Sequence, residues 1–397
     1  MKRNTLTDTQ TQQITTSRPS VLDWTLLIVL LMMTSDRFLV RADTIATHEN
    51  PVDSGKKTPL EIYILAGQSN MVGMGSMKHL DELVQVNCTS HCKPHNEYRQ
   101  RLWDEHTASY KVSNNVYINF ESRHGPLTVG YGAKNRMGPE LMFGWNMGRD
   151  AQRRNKDQKV LLIKEAWGGK DLGVDFRPPL SGEGTYENRK PIQYGQYYRR
   201  MVTETLEILN NLTAVVPTYK EEDGYELKGF VWFQGWNDLV QYPMVDEYQY
   251  NLANLIRDVR KDFDAPNLPF IVGELGMHGP HPTGKAVDRI LMMRSAERNV
   301  TLFPEFRNST LFVPTSPYAV LNGTTYNGVY HYNGRADTYF HIGEAFANGM
   351  LALLNKTHSN NPTEWDAVKA ASNRWRRHQA AYKSKVFALD KGQSSQH

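Results

Sequence analysis

The residues whose types and order could do chemistry are a serine, a glycine pair, an asparagine and a late histidine. The apolar run Leu60 to Leu65 leads straight into Ala66-Gly67-Gln68-Ser69-Asn70-Met71. A serine just past the end of a strand can turn its hydroxyl to a cleft, and Gly67, Gly73 and Gly75 permit a tight turn with close backbone approach. Met71 stands where a Gly-x-Ser-x-Gly nucleophile elbow would carry its second glycine. Alone, such a serine fits a helix cap as well as a nucleophile.

Three later segments change that balance. After the run Val160 to Ile163 comes Lys164-Glu165-Ala166-Trp167-Gly168-Gly169-Lys170, whose glycine pair can present a backbone N–H to an anion. After Phe230 to Phe233 comes Gln234-Gly235-Trp236-Asn237-Asp238, where Asn237 can offer a side-chain N–H to the same cleft. His331, in His331-Tyr332-Asn333-Gly334, precedes the last long helix of the domain and can serve as a base. Each segment alone also fits an ordinary loop.

The elements that must position these residues follow from hydrophobic periodicity. Leu60–Leu65, Val160–Ile163, Phe230–Phe233, Phe270–Val272 and Leu311–Val313 are short continuous apolar runs, as expected of parallel strands covered on both faces. Helical patterns lie between them: Gly138-Pro139-Glu140 to Arg153, Tyr197 to Leu209, Asp246 to Phe263, Ala286 to Arg298 and Asp337 to Leu354. A final helix is expected over Thr363 to Tyr382. Strand–helix alternation of this kind predicts an α/β fold, a three-layer α/β/α sandwich around a central, mostly parallel sheet. Ligands of such sheets bind at the carboxyl ends of the strands, where all four segments fall.

The chain has 397 residues, 22% charged and 40% hydrophobic, with a net charge of +4, which points to no particular charged partner. The cluster Arg374-Trp375-Arg376-Arg377 reads as the solvated face of the last helix, since a nucleic-acid footprint needs a larger basic patch. Lys2, Arg3 and Arg18 precede an apolar run, Trp24 to Met33, shorter than the roughly 20 residues a span requires. With Val40-Arg41-Ala42 as a cleavage site, residues 1–42 read as a signal peptide, an uncleaved membrane anchor being the alternative. A linker over 43–58, a catalytic domain over 59–356 and a helical, basic and polar tail over 357–397 complete the expected organisation. Six Asn-x-Ser/Thr sequons, at Asn87, Asn211, Asn299, Asn308, Asn322 and Asn355, agree with a secreted or secretory-lumen protein without stable membrane association once the leader is removed. Cys88 and Cys92 can close a short loop disulfide there; with His91 they fall short of a tetrahedral zinc set.

The order of the four segments resembles the SGNH hydrolases. Gly67-Gln68-Ser69-Asn70-Met71 resembles the first block of their sialate O-acetylesterase-like and acetylxylan-esterase-like branch. Phe233-Gln234-Gly235-Trp236-Asn237-Asp238 resembles its third block, although the branch more often carries Glu-Ser at 236–237. His124-Gly125-Pro126, Gly138-Pro139-Glu140-Leu141 and Trp167-Gly168-Gly169 with Val174-Asp175-Phe176-Arg177-Pro178-Pro179 also look like this branch, over roughly Pro59 to Leu354. The resemblance implies a serine esterase that removes acetyl groups from carbohydrates, with Ser69 as nucleophile and His331 as base. It also implies oxyanion donors at Ser69, Gly169 and Asn237, and neither metal nor organic cofactor. Gln68, Gln234 and Trp236 are the candidates for substrate contact, and Trp167, Trp236, Tyr330 and Tyr332 could stack on sugar faces.

One position departs from the pattern. The family usually places an aspartate three residues before the histidine, and here Gly328 stands there. Glu274, Asp337 or a backbone carbonyl is left to orient His331. His341, within the last domain helix, is expected to pack or face solvent, and His278 and His281 either line the cleft or are plain loop residues. Two alternatives to the acetylesterase remain: an esterase for another acyl group, and a catalytically impaired glycan-binding protein, favoured by Gly328. No nucleic-acid partner is expected.

Overall fold

The computed structural model describes residues 57–86, 96–184 and 193–356. The leader expected over residues 1–42, Cys88, Cys92, the Asn87 sequon and the helix expected over Thr363–Tyr382 lie outside the described residues.

In chain order the first elements are β1 (Leu60–Gly67), α1 (Ser69–Val72), α2 (Met77–Val84), α3 (Glu97–Leu102), β2 (Trp103–Asp104), β3 (Ser109–Tyr110), β4 (Val116–Phe120) and β5 (Arg123–Pro126). Then come α4 (Glu140–Arg154), β6 (Val160–Ala166), α5 (Gln196–Leu209), α6 (Leu212–Val215), β7 (Tyr225–Phe233) and α7 (Trp236–Val240). The rest are α8 (Tyr242–Asp262), β8 (Phe270–Gly273), α9 (Val287–Asn299), β9 (Thr310–Val313) and α10 (Ala336–Lys356).

Seven strands form one sheet in the order β5-β4-β6-β1-β7-β8-β9. All are parallel except β5, which pairs antiparallel with β4. Every residue of β1, β6, β8 and β9 is buried, as continuous apolar runs require when helices cover both faces. Helix α10 packs on α4 and across β8 and β9, while α5 covers β6. The protein is therefore an α/β fold with a central, mostly parallel sheet between helical layers.

The five strands expected from apolar runs are present, each a little longer than its run. The β4–β5 hairpin was not expected. Val116-Tyr117-Ile118-Asn119-Phe120 alternates buried and half-buried residues instead of forming a continuous run, and β5 is a polar edge strand. Helix α8 starts at Tyr242, four residues before the Asp246 that periodicity indicated, because Pro243 occupies its first turn.

This topology fixes where a ligand can bind. The chain begins in the middle of the sheet at β1, builds β4 and β6 on one side, then crosses to β7, β8 and β9 on the other. In sheets of this kind ligands bind where the strand order reverses, which here is beside β1 at its carboxyl end. Gly67 of β1 is level with Ala166 of β6 and with Phe233 of β7, so three consecutive loops leave the sheet side by side.

Candidate active site

Ser69 leaves the carboxyl end of β1 as the first residue of α1, where its N–H has no acceptor within the helix. Gly67 makes this turn possible. Its φ is 151°, and a Cβ there would lie 2.1 Å from the Phe233 carbonyl oxygen. The far end of α1 is clamped from below. The Lys164 ammonium, wholly buried, donates to the Val72 carbonyl at 2.7 Å and to the Glu140 carboxylate at 2.8 Å. Glu140 also accepts the Gly138 N–H at 2.8 Å, which ties the Gly138-Pro139-Glu140 block to the serine loop.

Gln68 joins the serine loop to the asparagine loop. Its Oε1 accepts the Gly235 N–H at 3.1 Å, the Asn237 N–H at 3.2 Å and the Gln234 side chain at 3.1 Å. Its Nε2 donates to Asn237 Oδ1 at 3.2 Å. Gln234 in turn donates to the Lys170 carbonyl at 3.0 Å and to Asp238 at 2.6 Å. Both glutamines are only 2% exposed and their side chains are engaged in bracing these loops. Trp236 is half-buried and stacks between Tyr330, at 5.7 Å, and His278, at 5.8 Å. It is the one of the three expected contact residues that stands at the rim.

Asn237 donates its side-chain N–H to the Gly169 carbonyl at 2.7 Å. The Asn237 amide group carries two hydrogens, so a second N–H remains for a ligand. Gly169 adopts φ of 72°, and both it and Gly168 are exposed. The glycine loop is held from behind by Asp238, which accepts the N–H groups of Leu172 at 2.9 Å and Gly173 at 2.9 Å. Burial, reinforced by the nearby Asp171 carboxylate, pushes the Asp238 carboxyl up to about 8. This anchoring role was visible in the Asn237-Asp238 pair only as a motif, because nothing in sequence says which loop the carboxylate reaches.

His331 sits in a tight loop before α10, followed by two residues with left-handed backbone, Tyr332 (φ 50°) and Asn333 (φ 56°). Two residues that sequence reasoning overlooked join this loop to the serine. Asn70, next to Ser69, donates to the Tyr330 carbonyl at 3.0 Å, and the Tyr339 hydroxyl donates to Asn70 at 2.6 Å and to the His331 carbonyl at 3.3 Å. The serine and histidine loops are thereby neighbours, although no hydrogen bond joins the Ser69 hydroxyl to the imidazole.

The His331 Nδ1 is buried and has no hydrogen-bond partner. Neither expected acid reaches it. The Glu274 carboxylate accepts the Thr315 N–H at 2.9 Å and the Ser316 N–H at 2.8 Å, and lies 3.4 Å from Arg294. Asp337 pairs with Arg335 at 2.7 Å and accepts the Thr338 N–H at 2.8 Å at the start of α10. No backbone carbonyl accepts from Nδ1 either. Burial, with the Arg136 guanidinium as a lesser cause, pushes the His331 imidazole down to about 4, so it is neutral and able to accept a proton across most of the pH range.

His341 is buried and bonded to the Tyr98 hydroxyl and to Glu344, both at 3.1 Å. It packs, as expected. His278 reaches the cleft through its stacking on Trp236, and its Nε2 is buried without a partner; His281 is exposed. Of the aromatics weighed as a sugar platform, Trp236 and Tyr330 meet in that stack. Tyr332 is buried and Trp167 packs on Phe176 and Tyr197.

Residues 59–311 match the family model described as carbohydrate esterase, sialic acid-specific acetylesterase. The chain belongs to that family. Ser69, Gly169 and Asn237 lie within the matched residues; His331 lies beyond them. A probable carbohydrate esterase of Arabidopsis thaliana is 26% identical over 223 residues, which are 54% of this chain and 68% of the relative. Among solved structures, one from Arabidopsis thaliana matches with a TM-score of 0.43 at 17% identity, over 74% of this chain and 98% of that one. A carbohydrate acetylesterase from Xanthomonas citri matches with a TM-score of 0.42 at 11% identity, over 74% of this chain and 57% of that one.

Proposed function

We propose that this carbohydrate esterase is an O-acetylesterase that works through a Ser69–His331 dyad. Ser69 Oγ attacks the acetyl carbonyl while His331 takes its proton, then returns it to the departing sugar hydroxyl. Water, activated by the same imidazole, cleaves the acetyl-serine. The tetrahedral oxyanion is met by the N–H groups of Ser69 and Gly169 and by the second N–H of the Asn237 side chain.

The observation that carries this reading is the level ending of β6, β1 and β7, which sets Gly169, Ser69 and Asn237 on adjacent loops cross-braced by Gln68. The family supplies the acetylated-carbohydrate class of substrate. The Tyr330–Trp236–His278 stack supports a sugar ring at the rim. Secretion fits the exposure of Asn211, Asn308, Asn322 and Asn355, with Asn299 half-buried, since a glycan needs an accessible asparagine.

The test is acetate release from acetylated xylan, acetylated pectin and O-acetylated sialic acid by wild type and Ser69→Ala. Wild type should release acetate from at least one, and Ser69→Ala should lose that activity by about 10⁴-fold or more. Equal release by the two proteins would remove Ser69 from the mechanism. The unpaired His331 Nδ1 favours one competing reading, an impaired glycan-binding protein. No acetate release by wild type on any of the three, with retained binding, would establish it instead.

A further inference from the structure

Away from the cleft, a cavity of about 270 Å³ is lined by Arg101, Asn114, Trp145, Asn146, Arg149 and Gln152, with Asn115 and Met142 completing its wall. Asn114 and Asn115 immediately precede β4, at the amino edge of the sheet, because β4 runs parallel to β6. Ser69, Gly169 and Asn237 leave the carboxyl edge. The two sites therefore lie at opposite edges of the sheet.

The lining has a definite chemical character. Trp145, Arg149 and Gln152 follow one another on a single face of α4. No carboxylate lines the cavity. Arg101 is neutralised from behind by Glu344 and by Glu97 at 3.7 Å. Arg149 is different. It donates one N–H to Asn146 at 2.6 Å, and among the described residues no carboxylate lies within ion-pair distance of it. The Gln152 and Asn114 carboxamides are held together at 3.2 Å. In the same wall Trp145 is half-buried, with its indole Nε1 turned away from solvent and without a hydrogen-bond partner.

One unneutralised guanidinium, four carboxamides and an indole match a single type of small ligand. The guanidinium fork fits a carboxylate, carboxamides exchange hydrogen bonds with hydroxyls, and an indole face suits the apolar face of a pyranose ring. A simple anion would use only the first of these groups. We propose that this cavity is a second carbohydrate subsite that takes a carboxylate-bearing sugar unit, with the carboxylate on Arg149 and the ring against Trp145. It deepens the acetylesterase reading and rests on it for the kind of polymer involved: an acidic, acetylated polysaccharide held at the amino edge while the esters are removed at the carboxyl edge.

The test is calorimetric titration of the full chain carrying Ser69→Ala, so that binding is read without turnover. The probes are trigalacturonic acid, xylotriose and sodium sulfate. Trigalacturonic acid should bind at least about tenfold more tightly than xylotriose. Adding Arg149→Gln should weaken it about tenfold or more, since a charge-assisted pair is lost, and Trp145→Phe should weaken it less. The thermal unfolding of both variants is measured alongside, and the comparison uses temperatures at which each is folded. Equal affinity for the two sugars, or no change with Arg149→Gln, would overturn the proposal. So would sulfate binding as tightly as the uronate, which would leave an anion site only. In the active chain, Arg149→Gln should leave turnover of a small acetyl ester unchanged while raising KM for acetylated pectin. A failure of Ser69 as nucleophile leaves the titration interpretable, so the two claims fail separately.

Discussion

The two sides of the cleft are built differently. On the serine side every loop is tied to the next: Gln68 makes four hydrogen bonds to the asparagine loop, Asn237 bonds to the glycine loop, and Asp238 to the far end of that same loop. On the histidine side the loop is tied down by the Tyr330 and His331 carbonyls, the Tyr332 hydroxyl and the Asn333 carboxamide, while the imidazole Nδ1 is left unpaired. The difference teaches that the proposed oxyanion donors are held by hydrogen bonds, whereas the imidazole of the proposed base is held by burial. A carboxylate normally holds a catalytic imidazole and stabilises its charged form. Here desolvation does the opposite, lowering the basicity of His331, and in the proposed mechanism an imidazolium would have no partner at its buried Nδ1.

The comparison can be broken most severely from the histidine side. His331→Ala should lower kcat/KM for an acetyl ester by about 10⁴-fold or more, measured with 4-nitrophenyl acetate. A loss under tenfold would show that another group takes the proton. On the serine side, Asn237→Ala should cost about 100- to 1,000-fold in kcat with a much smaller change in KM, because the donor acts on charge that develops only in the transition state. A pure KM effect would make Asn237 a binding residue.

Two smaller effects sharpen the contrast. With a folded-state value of about 4, His331 is protonated only when the pH falls through that value. The acid limb of kcat/KM should therefore lie near pH 4, well below that of an ordinary histidine, with activity lost as pH falls and kept as it rises. A limb near 6.5 would mean that burial does not control the base. Glu274→Gln and Asp337→Asn should leave both the limb and kcat within about threefold, since both carboxylates are bonded elsewhere, although each variant should unfold at lower temperature. A large kcat loss with either would restore an orienting acid.

The same asymmetry explains what the amino-acid sequence revealed. The strands that carry the site were legible because Leu60–Leu65, Val160–Ile163 and Phe230–Phe233 are buried on both faces and so read as unbroken apolar runs. The β4–β5 hairpin was not, because one strand alternates and the other is polar. Ser69 and Asn237 could be located because a strand end fixes the next few residues. The roles of Gln68, Gln234 and Asp238 could not, because a polar side chain beside a nucleophile reads alike whether it faces substrate or turns inward to brace a loop. Asn70 and Tyr339 were missed for a related reason: their contact spans 269 positions, and only the folded sheet brings them together. The absence of an acid at Gly328 was plain in the sequence, yet whether Glu274 or Asp337 replaced it depended on amides of Thr315, Ser316 and Thr338 that periodicity does not locate.

The central claim is that Ser69 is the nucleophile and that His331 activates it. The most direct measurement is covalent labelling with a fluorophosphonate, followed by peptide mapping by mass spectrometry. The account predicts one adduct, on Ser69, absent from Ser69→Ala and formed at least about 100-fold more slowly in His331→Ala. An adduct on another residue, or labelling of Ser69 at the same rate without His331, would contradict it.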